Sequence, residues 1–387
     1  MQRNESSSFQ QERKEYQKMR LKTSVWAVFA LLAMGCSSDD NVIQEQEETP
    51  IASFQVIGED ANSVFQYAYN AENETEEFIN LTTEIGVSTG YLTLRQIDEF
   101  LSFYSFSQGA FSLDIKNIRS GAVANYVDFY VDGPERSLVW GTNTLTNVFF
   151  GYFQPGSSRV LGLQDVEIQN QQSVDVTIDF DINLLFQPIL FDEKVYISFL
   201  DNKGNYKLTV YDTTTKTLGT ILNFDTTPIS ILIDETGNLA VVKNGANATI
   251  ELYDADSLFF ISMVELGFNS SFSPGPLDGA VLQNNKLYYP LPFVQPARFS
   301  AGPAIFDLET QENFAIDLVA IADTVEEEIG KRITISTQVF SSSKNRFFVG
   351  YALLETAIEG GVLQISTDGE LISNTSFPFF PTDIVFD

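Results

Sequence analysis

The chain ends on PTDIVFD (381–387), and an interior stretch, PISILID (228–234), has the same pattern. Each opens with proline, alternates apolar residues and closes on aspartate. In the interior copy the aspartate starts a tight turn, Asp234-Glu235-Thr236-Gly237-Asn238, and a second strand, NLAVV (238–242), continues from it. The terminal copy is a first strand with nothing after it. A lone strand with open edges is a liability, so its partners have to come from the other end of the domain, from about residue 51 onward. Propellers close their ring in this way.

Working outward from that pair, short runs rich in Val, Ile, Phe, Tyr and Thr alternate with turn residues, which is the strand signature. PILFDEKVYISFLDNKGNYKLTVYDTTT (188–215) matches PISILIDETGNLAVVKNGANATIELYDADS (228–257) segment by segment. Each gives a strand, an Asp-centred turn, a strand, a turn, and a strand ending in Tyr-Asp. Looser copies surround Phe306-Asp307 and residues 340–372, and upstream units start near Asp98 and Asp132. Taking Asp98, Asp132, Asp192, Asp234, Asn284, Lys344 and Asp387 as equivalent turns gives seven units spaced 34 to 60 residues apart. Propeller blades recur at about 40–50 residues. The sequence therefore predicts an all-β domain over 51–387: a seven-bladed propeller closed by its N- and C-terminal strands, similar in architecture to quinoprotein and YVTN-type propellers. Six or eight blades, or tandem β-sandwich domains, are the alternatives. One segment, 317–332, reads as helix, with Leu318, Ile321, Val325 and Ile329 on one face.

Ahead of the domain stands the only cysteine, Cys36. Arg20 and Lys22 precede an uncharged run, Val25 to Met34. Its length suits a signal-peptide core and falls short of the about 20 apolar residues that span a bilayer. Met19 starts an equally compact signal. Ala33-Met34-Gly35-Cys36 resembles the lipobox of bacterial lipoproteins, although leucine stands four places before the cysteine instead of three. The resemblance implies removal of residues 1–35 and lipidation of Cys36. Ser37-Ser38-Asp39-Asp40 resembles the acidic export tag of Bacteroidota-type surface lipoproteins, which implies a lipid-anchored position on the outer face of the outer membrane. Two or more acyl chains anchor stably where one is marginal. Residues 36–50, acidic and with almost nothing to bury, read as a flexible tether.

The formal net charge is −30. Such a field repels nucleic acid and argues against it as a partner; the membrane is reached through the lipid. With 33 Phe and 15 Tyr the chain can fill a large core. It has no histidine, which removes Ser-His-Asp and Cys-His catalysis and histidine metal sites. Carboxylate chemistry is the enzyme class that survives best, as in glycoside hydrolysis. Asp128 and Asp383, at matching places on first strands, are candidate channel carboxylates. The long loop PLPFVQPARFSAGP (290–303) offers Phe293, Arg298 and Phe299 as a candidate ligand contact. Asp175, Asp179 and Asp181, or Asp254 and Asp256, could hold calcium, but they lack the glycine and glutamate of an EF-hand loop; otherwise no metal or cofactor is expected. Asp256-Ser257-Leu258 and Asp323-Thr324-Val325 resemble a bacterial O-glycosylation sequon. The preferred expectation is a nonenzymatic propeller that binds a glycan, a small solute or an outer-membrane protein. The alternatives are a carboxylate-dependent hydrolase or lyase of extracellular glycans, and an accessory subunit of an uptake complex.

Overall fold

The computed structural model describes residues 50–386, apart from 132–136, 154–160, 179–181 and 355–357. Cys36, Ser37, Ser38, Asp39 and Asp40 therefore lie outside the described residues, as do Asp132, Asp179, Asp181 and Asp387. Seven antiparallel sheets follow one another along the chain as the blades of a propeller. Blade 1 joins β1 (Phe54–Glu59), β2 (Val64–Asn70) and β3 (Thr75–Asn80) to β31 (Phe380–Val385). Blade 2 is β4 (Thr93–Ile97), β5 (Phe100–Ser107), β6 (Ala110–Asn117) and β7 (Val123–Val131). Blade 3 is β8 (Ser137–Asn143), β9 (Asn147–Phe153), β10 (Leu161–Glu167) and β11 (Ser173–Thr177).

In blade 4, β12 (Ile182–Leu185) and β13 (Ile189–Phe191) share the first position. They pair with β14 (Lys194–Asp201), which is followed by β15 (Tyr206–Asp212), β16 (Thr217–Leu218) and β17 (Leu222–Asn223). Blade 5 is β18 (Ile229–Ile233), β19 (Leu239–Lys243), β20 (Thr249–Tyr253) and β21 (Phe260–Glu265), with β22 (Gly275–Pro276) added beside β18. Blade 6 is β23 (Val281–Gln283), β24 (Lys286–Pro292), β25 (Ala301–Asp307) and β26 (Asn313–Ala315). Blade 7 is β27 (Ile333–Ser341), β28 (Arg346–Leu353), β29 (Gly360–Ser366) and β30 (Leu371–Phe377). First strands of adjacent blades touch one another, as β4 with β8 and β27 with β31, so they line the axis of the ring.

Ring closure follows the terminal repeat. β31 is the innermost strand of blade 1, and β1 pairs with it antiparallel from Gln55↔Val385 to Glu59↔Phe380. The turns at Asp98, Asp192, Asp234, Asn284 and Lys344 each separate the first and second strands of a blade. Asp98, Asp192 and Asn284 adopt φ of 50°, 45° and 50°, a left-handed region that Asp and Asn enter more readily than other side chains. The unit placed at Asp132 is displaced. Residues 123–131 form the last strand of blade 2, and the first turn of blade 3 falls at Thr144-Leu145-Thr146 between β8 and β9. The Thr144 hydroxyl makes that turn by accepting the N–H groups of Thr146 and Asn147, at 3.2 and 3.0 Å, so no Asp or Gly marks it.

Seven apolar clusters fill the seven spaces between blades. Burying one large apolar side chain contributes about 1.5–3 kcal/mol, and here phenylalanine and tyrosine dominate. Tyr288 of blade 6 stacks on Phe340 of blade 7 with centroids 3.7 Å apart. Phe149 of blade 3 meets Tyr211 of blade 4, and Phe54 of blade 1 meets Phe348 of blade 7. Among the described residues two helices interrupt the strands, α1 (Leu81–Ile85) and α2 (Leu318–Ile329). The second is the one expected from the sequence. Asp317 caps its start by accepting the Ala320 N–H at 3.0 Å, and Gly330, with φ of 70°, ends it.

Candidate active site in the central channel

The bore of the ring is crossed by the segment that joins blades 5 and 6. Gly275 and Pro276 form β22, which pairs in parallel with Ser230 and Ile231 on the inner side of β18. The Leu277 N–H continues the ladder to the Ile231 carbonyl at 2.8 Å. Small residues let the segment pass close to other blades. A side chain at Gly275 would come within 3.1 Å of Phe186 Cβ in blade 4, and one at Gly279 within 2.3 Å of the Gln338 carbonyl in blade 7. The strap therefore spans the interior of the ring, and it carries Asp278.

Asp278 acts electrostatically on two residues of the far wall: Arg95, on the first strand of blade 2, and Asp383, on the closing strand β31. Arg95 is held by two backbone carbonyls, donating through Nε to Gly141 of blade 3 at 3.3 Å and through Nη1 to its neighbour Leu94 at 3.0 Å. Burial, the largest influence, lowers its pKa, while Tyr104, Asp278 and Asp383 support the charge. Both aspartates are pushed the other way. Burial raises the pKa of Asp278 against the pull of Arg95. For Asp383 burial is again the main cause, the Thr382 hydrogen bond and Arg95 oppose it, and the charges of Asp278 and Glu59 reinforce it. Asp278 is exposed and Asp383 half-buried by surface area, although protein surrounds both closely enough to disfavour their charged forms.

Tyr91 completes the group. Its hydroxyl lies 3.4 Å from Thr382 Oγ1, and Thr382 donates to the Ile57 carbonyl at 3.2 Å. The pKa of Tyr91 is pushed up to about 12, chiefly by burial and then by the Asp383 charge. At neutral pH the phenol is protonated, a donor beside the Asp383 charge. Two carboxyls resisting ionisation, an arginine and a tyrosine brought together make an acid–base constellation.

The other candidate residues fall elsewhere. Asp128 does not join Asp383: it lies on β7, the outermost strand of blade 2, exposed and with φ of 49°. Its N–H donates to Ser112 Oγ at 3.1 Å beside a register shift between β6 and β7. The alternation of VDFYVD is that of a strand, but an edge strand with a bulge. In the proline-rich loop, Phe299 is buried and Phe293 packs into the same cluster as α2. The two arms of Arg298 are taken by Asp323 and Glu326 of that helix, so the loop is clamped to α2. We expect Arg298→Ala to lower stability by about 1–2 kcal/mol, below the about 1.5–3 kcal/mol of sheltered charged hydrogen bonds because Asp323 is exposed; urea unfolding measures it. Asp254 accepts the N–H and hydroxyl of Ser257 in its own turn. Asp256 pairs with Lys194 at 2.7 Å, and Asp175 accepts from Gln164 at 3.0 Å. Arg95, Tyr91 and Asp278 escape a reading of the sequence, because only the crossing strap and ring closure bring them together.

No family model matches the chain, and no curated protein does either. Among solved structures it is similar to a puromycin hydrolase, at 12% identity and a TM-score of 0.50, over 85% of this chain and 55% of that one. It is also similar to a putative 6-phosphogluconolactonase from Bacteroides fragilis, at 10% identity and a TM-score of 0.49, over 87% of this chain and 98% of that one. A third likeness is the β-propeller domain of the Trilobed protease from Pyrococcus furiosus, at 9% identity and a TM-score of 0.45, over 84% of this chain and 94% of that one. The chain spans about half the length of the puromycin hydrolase it matches. At these identities the likeness shows the propeller fold. The expectation of a nonenzymatic binding module is corrected here: the protein matched at a TM-score of 0.50 bears the name of a hydrolase and gives a binding-only reading no support.

Proposed function

We propose that the chain is a carboxylate-dependent hydrolase whose reaction centre is the crossed channel, acting on neutral extracellular glycans. The supporting observation is the pair Asp278 and Asp383, whose charged forms are both disfavoured by burial in the presence of one arginine. A carboxyl that keeps its proton near neutral pH can act as general acid, and a neighbour that loses it first can act as general base. Asp383, pressed by the charges of Asp278 and Glu59, is assigned the acid. Asp278, opposed only by burial and supported by Arg95, is assigned the base. Asp278 takes a proton from the attacking water, Asp383 gives one to the departing sugar oxygen, and bulk water restores both. Arg95 holds hydroxyls of the substrate and offsets the charge on Asp278. A net charge of −30 suits a neutral substrate better than an anionic one.

In this reading the enzyme works at the cell surface, held on the outer membrane by lipid on Cys36 behind the acidic stretch 37–50. Release of reducing ends from neutral polysaccharides, incubated with the full-length protein, tests the activity. Release that disappears in the Asp383→Asn and Asp278→Asn variants supports the assignment. Release that persists in both, or none from any polysaccharide, ends it. Intact-mass analysis of protein from bacterial membranes tests the anchor, which predicts a diacylglyceryl increment on Cys36.

A further inference from the structure

Most inter-blade space is filled with apolar side chains, but the space between blades 1 and 2 is filled only on one side. Ile57, Val64, Leu101, Phe103 and Val385 pack there. Farther out the blades part into a cleft of about 670 Å³. The face that blade 1 turns toward it is polar by register: Gln55 stands beside Ala68, Ala68 beside Glu77, and Gln66 beside Ile79. Facing them are Lys116 at the end of β6 and the turn after it.

Two buried groups in this cleft are incompletely satisfied. Gln66 is 3% exposed, and its Nε2 donates to Gln55 Oε1 at 2.6 Å while its own Oε1 has no partner among the described residues. Lys116 is 2% exposed, and its ammonium meets Glu84 at 2.5 Å. An ammonium has three donors, and among the described residues Glu84 is the acceptor recorded for it. Burying polar groups short of partners is unfavourable, so a pair of them lining one cavity points to a ligand. That ligand has to accept from Lys116 and donate to an amide oxygen, and a hydroxyl group does both. The wall charges balance, with Lys116, Arg119 and Lys344 against Glu72, Glu77 and Glu84, so nothing favours a charged ligand.

We propose that this cleft is a second binding site, for a neutral sugar, separate from the channel. Titration calorimetry of the full-length Asp383→Asn variant with cellotetraose and maltotetraose tests it without turnover, and tetragalacturonate serves as the anionic counterpart. At least one neutral tetrasaccharide is expected to bind. Ala68→Trp, which fills the cleft from its half-buried floor, is expected to weaken binding about 10-fold or more, the loss of about 1.4 kcal/mol. Gln66→Leu, similar in shape but without the amide, is expected to weaken it about 5-fold; it is the variant to read if Ala68→Trp lowers the melting temperature. No binding of either neutral sugar, stronger binding of tetragalacturonate, or binding unchanged in the folded variants overturns the proposal. The channel reading stands or falls separately, because its readout is turnover, and Ala68→Trp is expected to leave turnover of a short soluble glycoside unchanged.

Discussion

Deleting residues 380–387 is expected to abolish the folded ring rather than trim it. The deletion removes the innermost strand of blade 1, which pairs with β1 and also contacts β27, β28 and β29 of blade 7. Ile384 and Val385 are 9% and 3% exposed, in the clusters on opposite sides of the blade. Their burial is worth about 1.5–3 kcal/mol each, and each lost ladder hydrogen bond adds about 1 kcal/mol. The sum approaches the whole stability of an ordinary domain, about 5–15 kcal/mol. β1 would also be left with an open inner edge. Circular dichroism and limited proteolysis check this outcome: a truncated chain that melts cooperatively within a few degrees of the intact one would refute the seam as the closure of the fold.

Asp383→Asn and Asp278→Asn are expected to cut turnover by about 10²–10⁴-fold, the usual worth of a positioned acid or base, while making the protein more stable at neutral pH. The stability effect follows from the raised pKa of each carboxyl. Below the ordinary value of 3.8 the group is protonated in both folded and unfolded chains and adds no pH dependence. As pH rises past that value the unfolded chain ionises first, so the folded state loses stability until the pH exceeds its own, higher pKa. Above that point the deficit is constant. An asparagine has no charge to desolvate, so each variant should melt above the wild type at pH 7, with the gap closing as the pH falls toward 4. Melting curves at several pH values, beside the turnover assay, read both effects. A variant that is inactive and less stable at neutral pH would mark the residue as structural.

Much of the ring was legible because its repeats are local. The turns at Asp98, Asp192, Asp234 and Asn284 advertise themselves with Asp, Asn and Gly, and the helix at 318–329 with its apolar spacing. Blade 3 was misplaced where the local signal is ordinary: Thr144 makes its turn with a hydroxyl, while DGPERS after β7 looks like a hairpin. The site was legible only at Asp383, which the terminal repeat put on a first strand. Asp278 sits in SPGPLDGA, which reads as an ordinary connector, and Arg95 in LRQIDEF, which reads as a first strand whose arginine nothing local sets apart. Their meeting depends on β22 lying against β18 and on β31 reaching the front of the chain, contacts separated by tens to hundreds of residues. No periodicity in a single strand encodes them.

The strap through β22 also settles how a polymer could meet this ring. An unobstructed bore would let a chain be threaded and cut anywhere along its length. Gly275 to Gly279 lie inside that bore, against blades 4, 5 and 7, and narrow it. A narrowed bore accepts an end or a short branch more readily than the middle of a long strand. Under the proposed hydrolase reading, degradation is expected to shorten polysaccharides from their tips and release small sugars early, with little fall in viscosity.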